Sequence, residues 1–268
     1  MLFIRKRGLS FTAAGLTDIG MVRTQNEDNL FVLDDEEPNS FGALSHGIYI
    51  IADGMGGHQA GEVASEIAVR VISKELLVGL ETTSDPISPT TLVEKAIEQA
   101  NSEIYNASKS KPELFGMGTT ITLGFRLDNR LYLGHVGDSR AYLMRKGKLQ
   151  QMTEDHSLVA RLIKEKAITQ EEARFHPDRG KILRCLGVSD KVMIDFSNQV
   201  NHGNLLTLIH GDSLIFCSDG LSGYISDLDI LNCLKKNNIA SITCKELIDL
   251  ANSSGGGDNI SVIVVRVK

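Results

Sequence analysis

Aspartate recurs in this chain at the ends of apolar runs. Ile48-Tyr-Ile-Ile-Ala-Asp-Gly-Met-Gly-Gly-His58 carries Asp53-Gly54, and Leu214-Ile-Phe-Cys-Ser-Asp219-Gly220 repeats the arrangement. Leu131-Tyr-Leu-Gly-His-Val-Gly-Asp138-Ser-Arg140 supplies a third case. Gly255-Gly-Gly-Asp258-Asn259 stands ahead of the run Ile260–Val267, and Arg23-Thr-Gln-Asn-Glu27-Asp28-Asn29 ahead of Leu30–Leu33. One Asp-Gly after a strand is an ordinary turn. Acids at the ends of so many strands ask for more, because carboxylates gathered at one sheet end repel one another unless a cation lies among them. No Cys or His stands at ligand spacing, so the favoured ions are hard ones, Mg²⁺ or Mn²⁺.

The elements that must carry these acids are legible from periodicity. Leu9–Asp18, Leu30–Leu33 and the run from Ile48 read as strands. Val63, Ala64, Ile67, Ala68, Val71, Ile72 and Leu76 follow helical spacing, and Ser88-Pro89 opens a second helix with proline in its first turn. Leu92, Val93, Ala96, Ile97, Ala100 and Ile104 line that helix's apolar face. From Gly118 the period changes to two. Thr119–Arg126, Arg130–Val136 and Ala141–Met144 read as an antiparallel meander turning at Asp128-Asn129 and Lys146-Gly147. Val192–Phe196 and Leu214–Cys217 add strands. Ser226…Asp229 and Thr243…Glu246 read as capping boxes that start two late helices. Two helices, many antiparallel strands and two more helices fit an α+β, four-layer αββα sandwich.

Composition bounds the function. The chain has 268 residues, is 42% hydrophobic and carries a formal charge of −6. Those figures suit one large globular domain or two small ones and argue against a nucleic-acid footprint, which needs clustered Lys and Arg. No run approaches a membrane span, and Met1–Arg7 has no apolar segment behind it to make a signal peptide. Cys185, Cys217, Cys233 and Cys244 show no paired spacing, so the expected setting is reducing and cytoplasmic. Neither Cys185 nor Cys217 has the downstream Arg of a cysteine-nucleophile phosphatase, and no Gly-rich Lys-Ser/Thr loop is present.

Arg23…Glu27-Asp28, Asp53-Gly-Met-Gly-Gly-His58, Gly118-Thr-Thr120, Gly137-Asp-Ser-Arg140, Asp219-Gly220 and Gly257-Asp-Asn259 occur in this order. The set, spanning about Thr12 to Val267, resembles the motifs of the PP2C (PPM) metal-dependent serine/threonine protein phosphatases, in their bacterial form. The resemblance implies a single phosphatase domain over 1–268, with helix pairs outside two stacked antiparallel sheets. It implies a flap beside the active site at about 155–187, where Arg174, His176 and Arg184 are candidates to reach phosphate.

The resemblance also assigns roles. Asp53 bridges two ions, with the Gly54 carbonyl as a further ligand. Asp219 and Asp258 complete one ion's shell. Glu27 and Asp28 act partly through water, Asp138 helps hold a possible third ion, and Arg23 clamps the substrate phosphate. Arg suits that task because its planar fork meets two phosphate oxygens at once. Arg140 opens a strand and is expected to pair with an acid instead. Many eukaryotic members have a histidine directly after Asp-Gly as general acid. Here that residue is Met55, and His58 is read as structural.

The expected reaction is hydrolysis of phosphoserine and phosphothreonine in proteins, with a serine/threonine kinase among the partners. Two rivals stand beside it: a non-catalytic phosphoprotein-binding regulator on the same fold, and a hydrolase of small phosphate esters. Retention of Asp53, Asp219 and Asp258 favours an enzyme.

Overall fold

A computed structural model describes residues 9–35, 45–56, 60–81, 87–196 and 206–268. His58 lies outside these residues.

Among the described residues twelve strands build two sheets, and every strand pair is antiparallel. One sheet has the order β1-β12-β11-β7-β8, formed by β1 (Phe11–Asp18), β12 (Ile260–Val267), β11 (Ser213–Cys217), β7 (Arg140–Arg145) and β8 (Lys148–Gln151). The other has the order β10-β6-β5-β3-β2, formed by β10 (Leu206–Thr207), β6 (Arg130–Val136), β5 (Ile121–Leu127), β3 (His46–Met55) and β2 (Asp28–Asp35). Two short strands extend it: β4 (Gly118–Thr119) on β3 and β9 (Asp195–Phe196) on β6.

Side-chain alternation sets the layers. On β3, Ile48, Ile50 and Ala52 pack with helices α1 (Ala60–Glu81) and α2 (Pro89–Ser110), while Tyr49 and Ile51 face the other sheet. On β11 and β12, Phe216, Ile263 and Val265 lie between the sheets. Ile215, Cys217, Val262 and Val264 point outward to the C-terminal helix pair. Each of these strands is covered on both faces, so each reads as a continuous apolar run even though the sheets are antiparallel. The sheets meet closely: Tyr49 and Phe216 stack at 5.8 Å, and a Cβ on Gly124 would lie 2.4 Å from the Phe216 ring.

Ser88 caps α2 by accepting from the Thr91 amide, with Pro89 in the first turn as the sequence predicts. The segment 155–187, where a flap is expected, holds the short helices α3 (Leu158–Lys164) and α4 (Gln170–Arg174). After β11 come α5 (Asp219–Ser222), α6 (Asp227–Lys236) and α7 (Ala240–Ser253). Ser226 and Asp229 form the expected capping box of α6.

Three sequence expectations need correction. The meander from Thr119 to Met144 is not one sheet, since β5 and β6 belong to one and β7 to the other. Gly137, at φ +118°, turns the chain across the sandwich between them. Thr243 does not cap α7: the helix begins at Ala240, and the Thr243 hydroxyl donates to the Ile239 carbonyl inside the first turn. Of the expected strand Val192–Phe196, only Asp195–Phe196 pairs, against β6.

Candidate metal centre

The acids meet because the strands that end in them run to the same edge of the sandwich. Asp28, at the start of β2, lies directly opposite Asp53 near the end of β3. Like charges in that register destabilise a sheet unless something offsets them. Backbone contacts fix Asp53 tightly: its amide donates to the Thr120 hydroxyl at 3.0 Å, and its carbonyl accepts from the Thr120 amide and the Thr119 hydroxyl, each at 2.9 Å. The Gly118-Thr-Thr120 motif is therefore a cradle for Asp53. Gly54 must be glycine, because a Cβ there would stand 2.1 Å from the Gly61 carbonyl oxygen of α1.

Asp219 opens α5 directly after β11, and Asp258 sits in the loop before β12. Asn259 locks that loop to the Arg23 loop. Its side chain accepts from the Glu27 amide at 2.8 Å and donates to the carbonyls of Ile19 and Gln25. Tyr224 packs on the glycines ahead of Asp258, its hydroxyl 2.1 Å from where a Gly257 Cβ would be. Ser218, absent from the sequence reading, donates to Asp28 at 2.8 Å and accepts from the Ser261 amide. Its position directly before Asp219, at the foot of a short helix, is the signal that could have found it.

The protonation chemistry shows how these groups feel one another. Burial, then the charges of Asp28, Asp219, Asp138 and Asp258, drives the Asp53 carboxyl well above the usual carboxylate range. Burial pushes Asp28 up to about 7 against hydrogen bonds from Ser261 and Ser218. Asp138 is raised well above its ordinary value by burial and then by Asp219. Asp219 rises through burial and then Asp258, and Glu27 rises through burial against the pull of Arg23. The structure thus brings Glu27, Asp28, Asp53, Asp138, Asp219 and Asp258 into one electrostatic cluster.

Cations fit it. The Asp138 Oδ1 and Glu27 Oε1 atoms are buried with no hydrogen-bond partner among the described residues, which is costly for a carboxylate left to itself. Among the described residues no three His, Cys, Asp or Glu side chains form a ready cage around a single point. Hard divalent cations keep several waters and take only a few carboxylates, so they do not require such a cage.

Arg23 stands at the rim, half-exposed, its Nη2 donating to Asp258 at 2.9 Å and its Nη1 3.9 Å from Glu27. Arg140 is occupied as expected, held in a fork by Asp155 with bonds of 2.7–3.0 Å. Arg184 pairs with Asp195 at 3.0 Å, and the His176 ring accepts from the Asp178 amide. Both serve local structure here. Met55 follows Gly54 in β3 and offers no proton, so this position contributes no general acid. A cleft of about 800 Å³ opens from Asp138, Asp219 and Asp258, between the flap and the first turn of α6.

Comparison with known proteins identifies the family. The family described as protein phosphatase 2C matches residues 12–189. The serine/threonine phosphatase stp of Listeria monocytogenes is 39% identical over 255 residues, covering 93% of each chain. The crystal structure of the Mycobacterium tuberculosis serine/threonine phosphatase PstP/Ppp superposes with a TM-score of 0.79 at 36% identity, covering 96% of this chain and 98% of that one. The catalytic domain of PstP in complex with two manganese ions gives a TM-score of 0.77 at 35% identity, over 97% and 99% of the two chains. By sequence over most of its length, and by fold, the chain belongs to the protein phosphatase 2C family.

Proposed function

We propose that the protein hydrolyses phosphoserine and phosphothreonine in proteins, with two divalent cations at the acidic cluster and Asp138 serving a third. The observation that carries this reading is the cluster itself: buried carboxyls with unpartnered oxygen atoms, beside a cleft of about 800 Å³. Bound there, Mn²⁺ or Mg²⁺ lowers the pKa of a water and offsets charge developing on the phosphoryl group. Asp53, with the Gly54 carbonyl, Asp219 and Asp258, would hold the core ions. Glu27 and Asp28 would act partly through water.

The chain's own residues do the rest. Arg23, half-exposed at the rim beside Asp258, offers its guanidinium fork to two phosphate oxygens. Thr119 and Thr120 keep the Asp53 backbone from shifting as charge builds beside it. Overall the P–O bond to the serine or threonine oxygen breaks, one to water's oxygen forms, and the alcohol leaves protonated. The substrates proposed are phosphorylated proteins, among them a serine/threonine kinase.

The test is hydrolysis of a phosphothreonine peptide and of p-nitrophenyl phosphate, with Mn²⁺, with EDTA, and in Asp53→Ala and Asp219→Ala. Expected is Mn²⁺-dependent turnover, faster on the peptide and lost in both variants. Turnover that survives EDTA and both substitutions overturns the assignment. Equal or faster turnover of the small ester points to an ester hydrolase, and tight Mn²⁺ binding with no turnover to a phosphoprotein-binding regulator.

A further inference from the structure

The flap is attached to the body in an unusual way for a substrate-facing wall. Its helix α3 has no buried residue, so no apolar core sets its position. Its base is closed by polar contacts instead. The Leu183 amide donates to the His156 carbonyl at 2.7 Å, the Leu158 amide to the Lys181 carbonyl at 2.9 Å, and Ser157 bridges Ile182.

His156 stands where this base meets the turn that carries Asp138. Its amide donates to the Gly137 carbonyl at 2.7 Å, and its Nδ1 lies 3.1 Å from the Gly137 amide, which donates back. Nδ1 is thereby an acceptor, which assigns the ring proton to Nε2. Nε2 then donates to Asp195 Oδ2 at 3.1 Å, and Arg184 holds the other Asp195 oxygen at 3.0 Å. With that proton in place, the 3.1 Å approach of Arg184 Nη1 to the same nitrogen is a close contact between donors. Asp195 sits on β9, opposite His135 of β6, and the His135 ring packs on His156 at 4.9 Å between centroids. His156 therefore touches the Asp138 turn on one side and the strand beyond the flap on the other. Val159, Ala160 and Ile163 of the flap face the same cleft as Asp138.

We propose that His156 is a positioning residue, which sets the flap wall of the cleft relative to the Asp138 turn by its two ring hydrogen bonds. The imidazole is suited to this because one ring both accepts and donates along fixed directions. The consequence for turnover rests on the reading of the cleft as the phosphopeptide site.

Three substitutions separate the two bonds. His156→Asn keeps an acceptor where Nδ1 stood and loses the reach to Asp195, His156→Gln keeps a donor near Nε2 and loses the acceptor, and His156→Ala loses both. Amide hydrogen exchange, followed by mass spectrometry on the full chain, reads each bond without substrate. In His156→Ala the segments 137–139 and 157–183 should exchange about tenfold faster or more, with the sheets unchanged. Asn should restore protection at 137–139 only, and Gln in the flap only. With Mn²⁺ saturating, His156→Ala should raise KM for the phosphothreonine peptide by about fivefold or more, with a smaller change in kcat for p-nitrophenyl phosphate. Unchanged exchange at both segments in His156→Ala overturns the proposal, as does equal loss on both substrates in proportion to a fall in Tm. Wild-type protein without Mn²⁺-dependent turnover would count against the phosphatase reading, and the exchange arms would still decide the role of His156.

Discussion

Strand β3 ends in charge at both extremities, and the two ends handle it in opposite ways. Near its start, Arg126 of the neighbouring strand is fully buried yet completed by the chain. It bonds Asp34 at 2.5 Å, Ser45 at 2.9 Å, and the carbonyls of Asp128 and His46 at 2.8 Å, and lies 3.9 Å over the Phe11 ring. At the other end, Asp53 faces Asp28, Asp138, Asp219 and Asp258; among the described residues Thr119 and Thr120 bond only its backbone, and Arg23 at the rim is paired with Asp258. A buried charge that the fold completes is architecture, and one that it leaves incomplete asks for a ligand. The contrast separates metal ligands from structural ions better than burial alone, since both groups are buried.

The largest effect expected from this contrast is at the incomplete end. Asp53→Asn should lower Mn²⁺-dependent turnover by about 10³-fold, because the ions lose the carboxylate expected to bridge them. The same change should leave the metal-free protein as stable as the wild type or more so, since it removes a buried repulsive charge. A Tm in EDTA that drops by many degrees would refute the idea that this end is completed only by ligand.

At the other end the signs reverse. Arg126→Met strips the buried acceptors of their cation and should cost about 3–5 kcal/mol, on the order of 10 °C in Tm. Its Mn²⁺ affinity, measured by calorimetry on the folded fraction, should match the wild type. Weakened binding there would show that the two ends are not independent.

Next comes pH. Glu27, Asp28, Asp53, Asp138 and Asp219 have folded-state pKa values above their unfolded ones, so between the two the folded, metal-free protein holds more protons than the unfolded chain. Its stability from this source falls as pH rises, for Asp28 from the ordinary 3.8 up to about 7. Mn²⁺ replaces those protons, so the rise in Tm that it produces should grow between pH 5 and 7, an interval inside that window. A constant increment would mean that the acids titrate normally. His135 works in the opposite sense: burial, then His156, lowers it from 6.5 to about 4. The unfolded chain takes up that proton first, so the metal-loaded protein should lose stability as pH falls through this range, measured by Tm.

The smallest effect is at the surface. Lys245 and Asp249 pair at 2.9 Å one helical turn apart, both largely exposed, with water able to replace either partner. Lys245→Ala should leave Tm and turnover unchanged within error. A measurable loss would show that exposed pairs matter more here than the contrast allows.

Much of the site was legible because its residues are short-range events. Asp-Gly at the end of an apolar run, Gly-Asp-Ser-Arg at a turn and Gly-Asp-Asn before a strand each mark an acid at a strand end, whatever the fold does later. The two long helices and Ser88-Pro89 were legible for the same reason, since periodicity and capping are local. What stayed hidden was long-range. Nothing near Gly137 tells that β6 and β7 lie in different sheets, and nothing near Thr243 tells that α7 starts at Ala240 to suit packing against β12. Ser218 and Thr120 became interpretable only once their hydroxyls were seen against Asp28 and Asp53.

The sequence by itself determined the kinds of groups present: oxygen ligands in excess, no nitrogen or sulfur set to compete, and two arginines, Arg23 and Arg140, beside the acids. Tertiary structure decided which of them meet, because the pairing of β2 with β3 and the packing of two sheets bring residues from 23 to 258 into one crevice. It also decided which arginines are already spent, Arg140 on Asp155 and Arg126 on Asp34. The physical reason is range: turns, caps and strand ends follow from neighbours in sequence, whereas the Coulomb repulsion that calls for a metal arises only between groups folding has brought together.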